Sequence, residues 1–144
     1  MNREIEFRGK RKDSREWVYG LGILAYQRSG WVQIQDEGAD WHDVDPATVG
    51  QYTGLMDKNG VKIFEGDIVQ RRAPIYKLGE RAPSGEYLAT GKVVWDESSF
   101  TEVGNYTVST YDHLGNTAKN ILFNGINGWH VIGNPHDNPE LLEV

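Results

Sequence analysis

Three groups of residues could carry chemistry or binding by their type and spacing. The first is the glycine-rich segment 20–25, GLGILA, which has the form G-x-G-x-x-A of a dinucleotide-binding turn. That motif needs a helix directly after it, because the N-terminus of the helix faces the pyrophosphate. The residues that follow, 26–30, are too few and too turn-like to form that helix. Segment 20–25 therefore does not predict a nucleotide site.

The second group is the acidic segment 36–45, which combines carboxylates with an imidazole. Its potential metal ligands are Asp36, Glu37, Asp40, His42, Asp43 and Asp45. Such side chains suit a hard or borderline cation, but their spacing does not match an EF-hand loop. We interpret the segment as an exposed acidic loop in which Trp41 anchors the loop to the body or to a partner. We assign no metal site, and a metal-dependent hydrolase using this loop is the alternative.

Other catalytic patterns are missing from the sequence. The four histidines form no H-E-x-x-H pair, and neither a G-x-S-x-G elbow nor a Walker loop occurs. The chain has no cysteine, which excludes disulfides, thiolate metal sites and cysteine nucleophiles. We therefore assign no catalytic residue and no cofactor, and expect a protein that is not an enzyme.

The third group is a set of basic and aromatic side chains between residues 70 and 90. Its members are Arg71, Arg72, Tyr76, Lys77, Arg81 and Tyr87. Interleaved bases and rings can contact phosphates and stack on nucleobases. The same residues suit an oligomerisation arm, and Pro74 and Pro83 keep the segment out of central strand positions. We predict a projecting β-hairpin arm that binds a partner, with self-association favoured over nucleic acid.

The elements that position these groups are predicted to be mainly β. The 144 residues include 17 glycines and 11% aromatic residues, and apolar residues alternate with polar ones in many short runs. Short strands separated by turns are typical of a small barrel or sandwich. Helix signals predict only single turns, one at Asp45–Thr48 and one after Asn138, where Pro139 suits the first helical position. Between strands 51–55 and 61–64, Asn59-Gly60 predicts a type I′ hairpin turn.

Charge is unevenly distributed along the chain. The net charge is −6, which argues against a nucleic-acid binder that uses its whole surface. Residues 68–85 carry four bases and one acid, whereas residues 36–67 carry eight acids and two bases. The basic segment of one copy could therefore pair with an acidic segment of another. No targeting signal or membrane-length apolar run is present, so we expect a cytoplasmic protein without a membrane partner.

Several motifs spread along the chain resemble one family. They are QYTGL at 51–55, DKNG at 57–60, EGDIV at 65–69, the opening IEFRGK at 5–10 and the closing VIGN at 131–134. The sequence resembles the YopX-like family of phage and prophage proteins from end to end. The resemblance implies a single domain over 1–144, with possible subdomains 1–50 and 51–144, the second a barrel of SH3-like character around EGDIV with the arm at about 70–90. It also implies a homo-oligomer in the cytoplasm of a bacterial host, and it transfers no catalytic residues.

The family motifs have a structural interpretation of their own. We expect Gly54 and Gly66 to permit bends, Asp67 to hydrogen-bond nearby amides, and Asn59 and Gly60 to form the hairpin turn. The sequence thus predicts a phage or prophage accessory protein of unknown biochemical role that acts by homo-oligomerisation or by binding a host or phage protein. The alternative is a small-barrel protein that binds single-stranded nucleic acid through the basic arm.

Overall fold

The computed structural model of the 144-residue chain describes residues 4–96, 105–111, 117–121 and 128–142. The fold is mainly β, as predicted. Its strands are β1 (Phe7–Lys10), β2 (Trp17–Gly20), β3 (Gly22–Tyr26), β4 (Trp31–Gln35), β5 (Trp41–Val44), β6 (Gly50–Met56), β7 (Lys62–Phe64), β8 (Ile68–Ile75), β9 (Gly85–Asp96), β10 (Asn105–Tyr111), β11 (Thr117–Ile121) and β12 (His130–Gly133).

The strands form three antiparallel sheets. Their strand orders are β2-β1-β6-β7, β3-β4-β5 and β11-β10-β9-β8-β12. Within the described ranges no sheet closes on itself into a barrel, so the β class is confirmed whereas the SH3-like barrel is not. Helical structure there is limited to single 3₁₀ turns at Pro46–Thr48 and Pro139–Leu142, as predicted. The side chain of Asp45 caps the first turn by accepting the amide of Ala47 at 3.1 Å.

The chain divides into two compact units, Met1–Gly54 and Leu55–Val144, and the division falls within β6. In unit 1 the buried residues Val18, Ile34 and Val44 form the core. Strand β2 approaches β4 so closely at Gly20 that a Cβ there would overlap the carbonyl oxygen of Gln35. A glycine is required at this position because no side chain fits between the two backbones.

Unit 2 contains the five-stranded sheet and has its own core. That core is formed by Ile63, Val69, Ala73, Ala89, Val93, Val108 and Trp129. Strand β8 pairs with β9 along its whole length, from Ile68 opposite Lys92 to Ile75 opposite Gly85. The two strands therefore form a β-hairpin in the segment for which the sequence predicts an arm, and the projection of that arm stays a prediction.

Two local predictions need correction. Only Gly60 of the Asn59-Gly60 pair has a positive φ, at +79°, so the predicted type I′ turn does not form. Instead the Asp57 carboxylate accepts the amides of Asn59 and Val61, at 2.8 and 2.9 Å, and fixes a longer loop that ends in a left-handed glycine. The acidic segment 36–45 is not a loop throughout, because its second half forms β5 opposite β4.

Candidate binding surface

The β8–β9 hairpin carries the residues that the sequence singles out for binding. Its strands end at Ile75 and Gly85, where the carbonyl of Ile75 accepts the amide of Ser84 at 2.8 Å. The connecting loop turns at Gly79, which has φ +84°, and the amide of Glu80 donates to the carbonyl of Lys77 at 3.0 Å. The loop thus has a defined backbone path.

The base and the end of the hairpin differ sharply in burial. At the base, Ala73 and Ala89 are 4% and 6% exposed and belong to the core around Trp129. Every residue from Pro74 to Leu88 is exposed, and we call this segment the hairpin tip. Its large apolar side chains are Ile75, Tyr76, Leu78, Tyr87 and Leu88. The tip therefore exposes large apolar side chains that do not pack in the interior of the protein.

The hairpin extends beyond the strands that flank it in the sheet. Strand β12 pairs with β8 only over Ile68–Gln70, and β10 pairs with β9 only over Gly91–Asp96. Among the residues that the structure describes, the outer part of the hairpin is therefore a two-stranded ribbon with two unpaired edges. Pro74 lies in the β8 edge, and a proline there removes one backbone donor and discourages further strand pairing.

The six predicted binding residues do not form one surface. Arg71 is half-buried, with its guanidinium carbon 5.1 Å from the centre of the Trp129 ring, so it packs at the rim of the core. Arg72 is exposed, lies opposite Leu88 and has its Nη1 3.5 Å from Oε2 of Glu86. Because successive strand residues point to opposite faces, Arg71 and Arg72 lie on opposite faces of the hairpin.

The other four predicted residues belong to the tip. Tyr76, Lys77 and Arg81 lie on the exposed loop. Tyr87 lies opposite Ala73, so it shares a face with Ile75, and its ring is exposed. The structure thus places Tyr76, Lys77, Arg81 and Tyr87 at the outer end of the hairpin, with Arg72 on the opposite face from Tyr87 and Arg71 packed at the rim of the core.

The family motif EGDIV forms the turn that leads into β8. Gly66 has φ +87°, a conformation that favours glycine, and its amide donates to the carbonyl of Val93 at 2.8 Å. Asp67 is buried, and its Oδ2 accepts the amide of Phe64 at 2.8 Å. Through these contacts the motif holds the backbone of the hairpin base in place.

Asp57 is a buried carboxylate whose role the sequence did not reveal. Besides the two amides of its own loop, it accepts the amide of Val131, 74 positions away, at 2.9 Å. Burial alone would raise the pKa of Asp57, but the three backbone amides stabilise its charged form and hold the pKa below its ordinary value. No local pattern points to this role, because the third donor belongs to a distant strand.

A second exposed surface lies in unit 1, on the outer side of the β3-β4-β5 sheet. Register and alternation place Leu24, Tyr26, Trp31, Gln33, Gln35, Trp41 and Asp43 on that side, and we call this set the aromatic face. The opposite side holds the buried Ile34 and Val44. The aromatic face was not among the predicted binding surfaces, although the spacing of Trp31, Gln33 and Gln35 carries its signal.

The acidic side chains beside the aromatic face are held by hydrogen bonds. Asp36 Oδ2 lies 2.7 Å from Nε2 of His42, and Oδ1 accepts the amide of Asp40 at 3.0 Å. The hydrogen bond with His42 has the largest effect, and together the two bonds hold the pKa of Asp36 below its ordinary value. Within the described part of the chain, no three metal-ligating side chains come together. The acidic segment is thus a charged surface and offers no recognisable metal centre there.

One family model matches nearly the whole chain. The family model described as YopX protein matches residues 6–143. The chain belongs to the YopX family. One solved structure similar to this YopX-family chain is "Crystal structure of protein EF1440 from Enterococcus faecalis", with 24% identity, a TM-score of 0.43 and coverage of 99% of this chain and 100% of that chain.

No curated protein matches this YopX-family chain. Among the described residues, no helix is long and apolar enough to cross a membrane.

Proposed function

We propose that this YopX-family protein is a non-enzymatic accessory protein that acts by binding through its hairpin tip. In this proposal it is encoded by a phage or prophage and works in the cytoplasm of the bacterial host. Its principal partner is a second copy of itself, and a host or phage protein is the other partner class. The observation that carries the proposal is the unbroken exposure of residues 74–88 together with their five large apolar side chains.

The energetics of the hairpin tip support a binding role. Apolar surface removed from water contributes about 25 cal/mol per Å². The tip leaves Tyr76, Leu78 and Leu88 more than half exposed, so a partner that covers them would gain this free energy. Exposed apolar surface on soluble proteins commonly marks an interaction site.

Charge supports a second copy as the partner. Residues 72–88 carry the bases Arg72, Lys77 and Arg81 against the acids Glu80 and Glu86, a net charge of +1, whereas residues 36–67 carry six more acids than bases. Opposite charges on separate parts of one chain attract when two copies meet, and this attraction weakens as salt rises. Self-association of this kind needs no other molecule.

The direct test is the mass of the protein in solution as a function of concentration. Sedimentation velocity on the full chain should show a concentration-dependent increase in mass. The variant Tyr76→Ser with Leu78→Ser and Leu88→Ser should remain a monomer at concentrations where the wild type associates. A matched control, Ile5→Ser with Leu21→Ser and Val61→Ser, also removes three exposed apolar side chains and should associate like the wild type. A wild type that stays monomeric at all accessible concentrations contradicts self-association.

Single-stranded nucleic acid is the second candidate partner, and the side chains of the hairpin favour it specifically. Tyr76 and Tyr87 expose their rings on the same hairpin as Arg72, Lys77 and Arg81. Rings of this kind stack on bases while cations contact phosphates. Fluorescence anisotropy of a labelled oligothymidine should then rise with protein at low salt and fall as salt increases. An unchanged anisotropy at low salt removes this candidate.

A further inference from the structure

We propose that the aromatic face of unit 1 is the surface on which the hairpin tip of a second copy docks. This inference rests on the proposed self-association and names the surface that receives the tip.

The aromatic face exposes three rings on one sheet. Tyr26 and Trp31 lie directly opposite each other on β3 and β4 and are 50% and 47% exposed. Trp41 lies opposite Gln35 on β5 and is 41% exposed. Exposed Trp and Tyr rings are the side chains that most often anchor protein interfaces, because they bury much area with few rotatable bonds.

The rings and polar groups of the face are held in place before any partner binds. The ammonium of Lys12 lies 5.0 Å from the centre of the Trp31 ring. The Trp41 ring lies against the bare backbone of Gly22, where a Cβ would be 3.3 Å from Cη2. Nε2 of Gln33 donates to Oδ1 of Asp43 at 2.8 Å. Little side-chain entropy is therefore lost when a partner covers the face.

The charges beside the face are complementary to those of the hairpin. The turn between β4 and β5 carries the exposed acids Glu37 and Asp40. Residues 72–88 of the hairpin bring three exposed cations, Arg72, Lys77 and Arg81, against two exposed acids, Glu80 and Glu86, so the segment carries a net charge of +1. Lysine and arginine also bind the faces of tryptophan and tyrosine rings, so the same cations suit the aromatic face as well as its acidic border. A nucleic acid would instead meet repulsion from these acids.

The two proposed surfaces are different patches of the same chain. The resulting contact joins the tip of one copy to the face of the next, which is a head-to-tail arrangement. Such contacts form a closed ring or an open chain of copies. Pairing between the unpaired β9 edges of two hairpins would instead give a symmetric dimer, and the test separates these arrangements.

The test uses two charge-reversed forms of the full chain. The tip variant is Arg72→Glu with Lys77→Glu and Arg81→Glu, and the face variant is Glu37→Lys with Asp40→Lys. Each variant alone should self-associate at least about tenfold more weakly than the wild type in sedimentation velocity, because like charges then oppose each other. An equimolar mixture should associate again, since each variant offers the surface that the other needs.

A matched control, Glu16→Lys with Glu140→Lys, makes the same charge change as the face variant at other exposed acids and should associate like the wild type. Thermal unfolding by circular dichroism should show that all forms are folded.

The outcomes distinguish docking on the aromatic face from self-association in general. A wild type that never associates contradicts the proposed self-association itself. A face variant that associates like the wild type, while the tip variant does not, overturns only the docking surface and favours β9 edge pairing. A mixture that stays dissociated also overturns the docking surface. Loss of oligothymidine binding in the tip variant of a monomeric chain would support nucleic acid as the partner instead.

Discussion

The carboxylate of Asp57 accepts the backbone amide of Val131 at 2.9 Å and so joins two segments 74 positions apart. The same carboxylate accepts the amides of Asn59 and Val61 in its own loop. One buried side chain therefore fixes both a hairpin loop and the strand that pairs with the base of the β8–β9 hairpin.

Replacing Asp57 by Asn should destabilise unit 2. An amide has one acceptor oxygen where the carboxylate has two, so at least one buried N–H loses its partner, which costs about 1–3 kcal/mol. The midpoint of urea unfolding should fall accordingly with little change in its slope. The exposed Asp13, which pairs with Arg11 at 2.8 Å, provides a control, and Asp13→Asn should leave the midpoint of urea unfolding close to that of the wild type.

The depressed pKa of Asp57 predicts a loss of stability in acid. Its pKa in the folded protein lies below the ordinary value of 3.8, so the unfolded chain binds the proton more readily. The stabilisation is therefore fully present above about pH 4 and is lost as the pH falls through the folded pKa. The difference in unfolding free energy between the wild type and Asp57→Asn should shrink over this range. A difference that stays constant from pH 6 to pH 2.5 would contradict this assignment.

Substitution of Gly66 tests the turn formed by the EGDIV motif. A Cβ at Gly66 would meet no atom within 4 Å, so Gly66→Ala tests backbone conformation alone. At φ +87° an alanine should cost about 1–2 kcal/mol, which chemical denaturation can measure. Gly85→Ala is the matched control, because a Cβ there has only an ordinary contact of 3.9 Å with Ile75 and no positive φ. Equal effects of the two substitutions would refute the conformational explanation.

Shortening the hairpin should separate folding from association. Replacing residues 76–84 by Asn-Gly keeps β8 and β9 and the buried Ala73 and Ala89, while it removes most of the tip. The melting temperature should change by only a few degrees, roughly the effect of 1 kcal/mol in a domain of this size. Self-association should be lost in sedimentation velocity. A shortened chain that unfolds at room temperature would show that the tip is needed for folding.

The sequence predicted the features that depend on neighbouring residues. Alternating side chains indicated the strands, and Asp45-Pro46 and Asn138-Pro139 indicated the two single turns that the structure contains. These signals are local because a cap or a strand face depends on residues close in sequence.

The features that sequence analysis missed depend on residues that are distant in sequence. Arg71 was grouped with Arg72, but packing on Trp129, 58 positions away, draws it toward the core. The loop at 57–61 takes its form from a carboxylate that also serves Val131. The aromatic face required the register of three strands, which brings Tyr26 opposite Trp31 and Gln35 opposite Trp41. Side-chain type alone could not supply that register.

The uninterrupted exposure of residues 74–88 has a consequence for how this segment can evolve. Substitutions there alter the exterior of the protein and leave its interior packing unchanged. The segment can thus vary in sequence at little cost in folding free energy. A recognition element with that freedom can follow a partner whose own surface changes over generations.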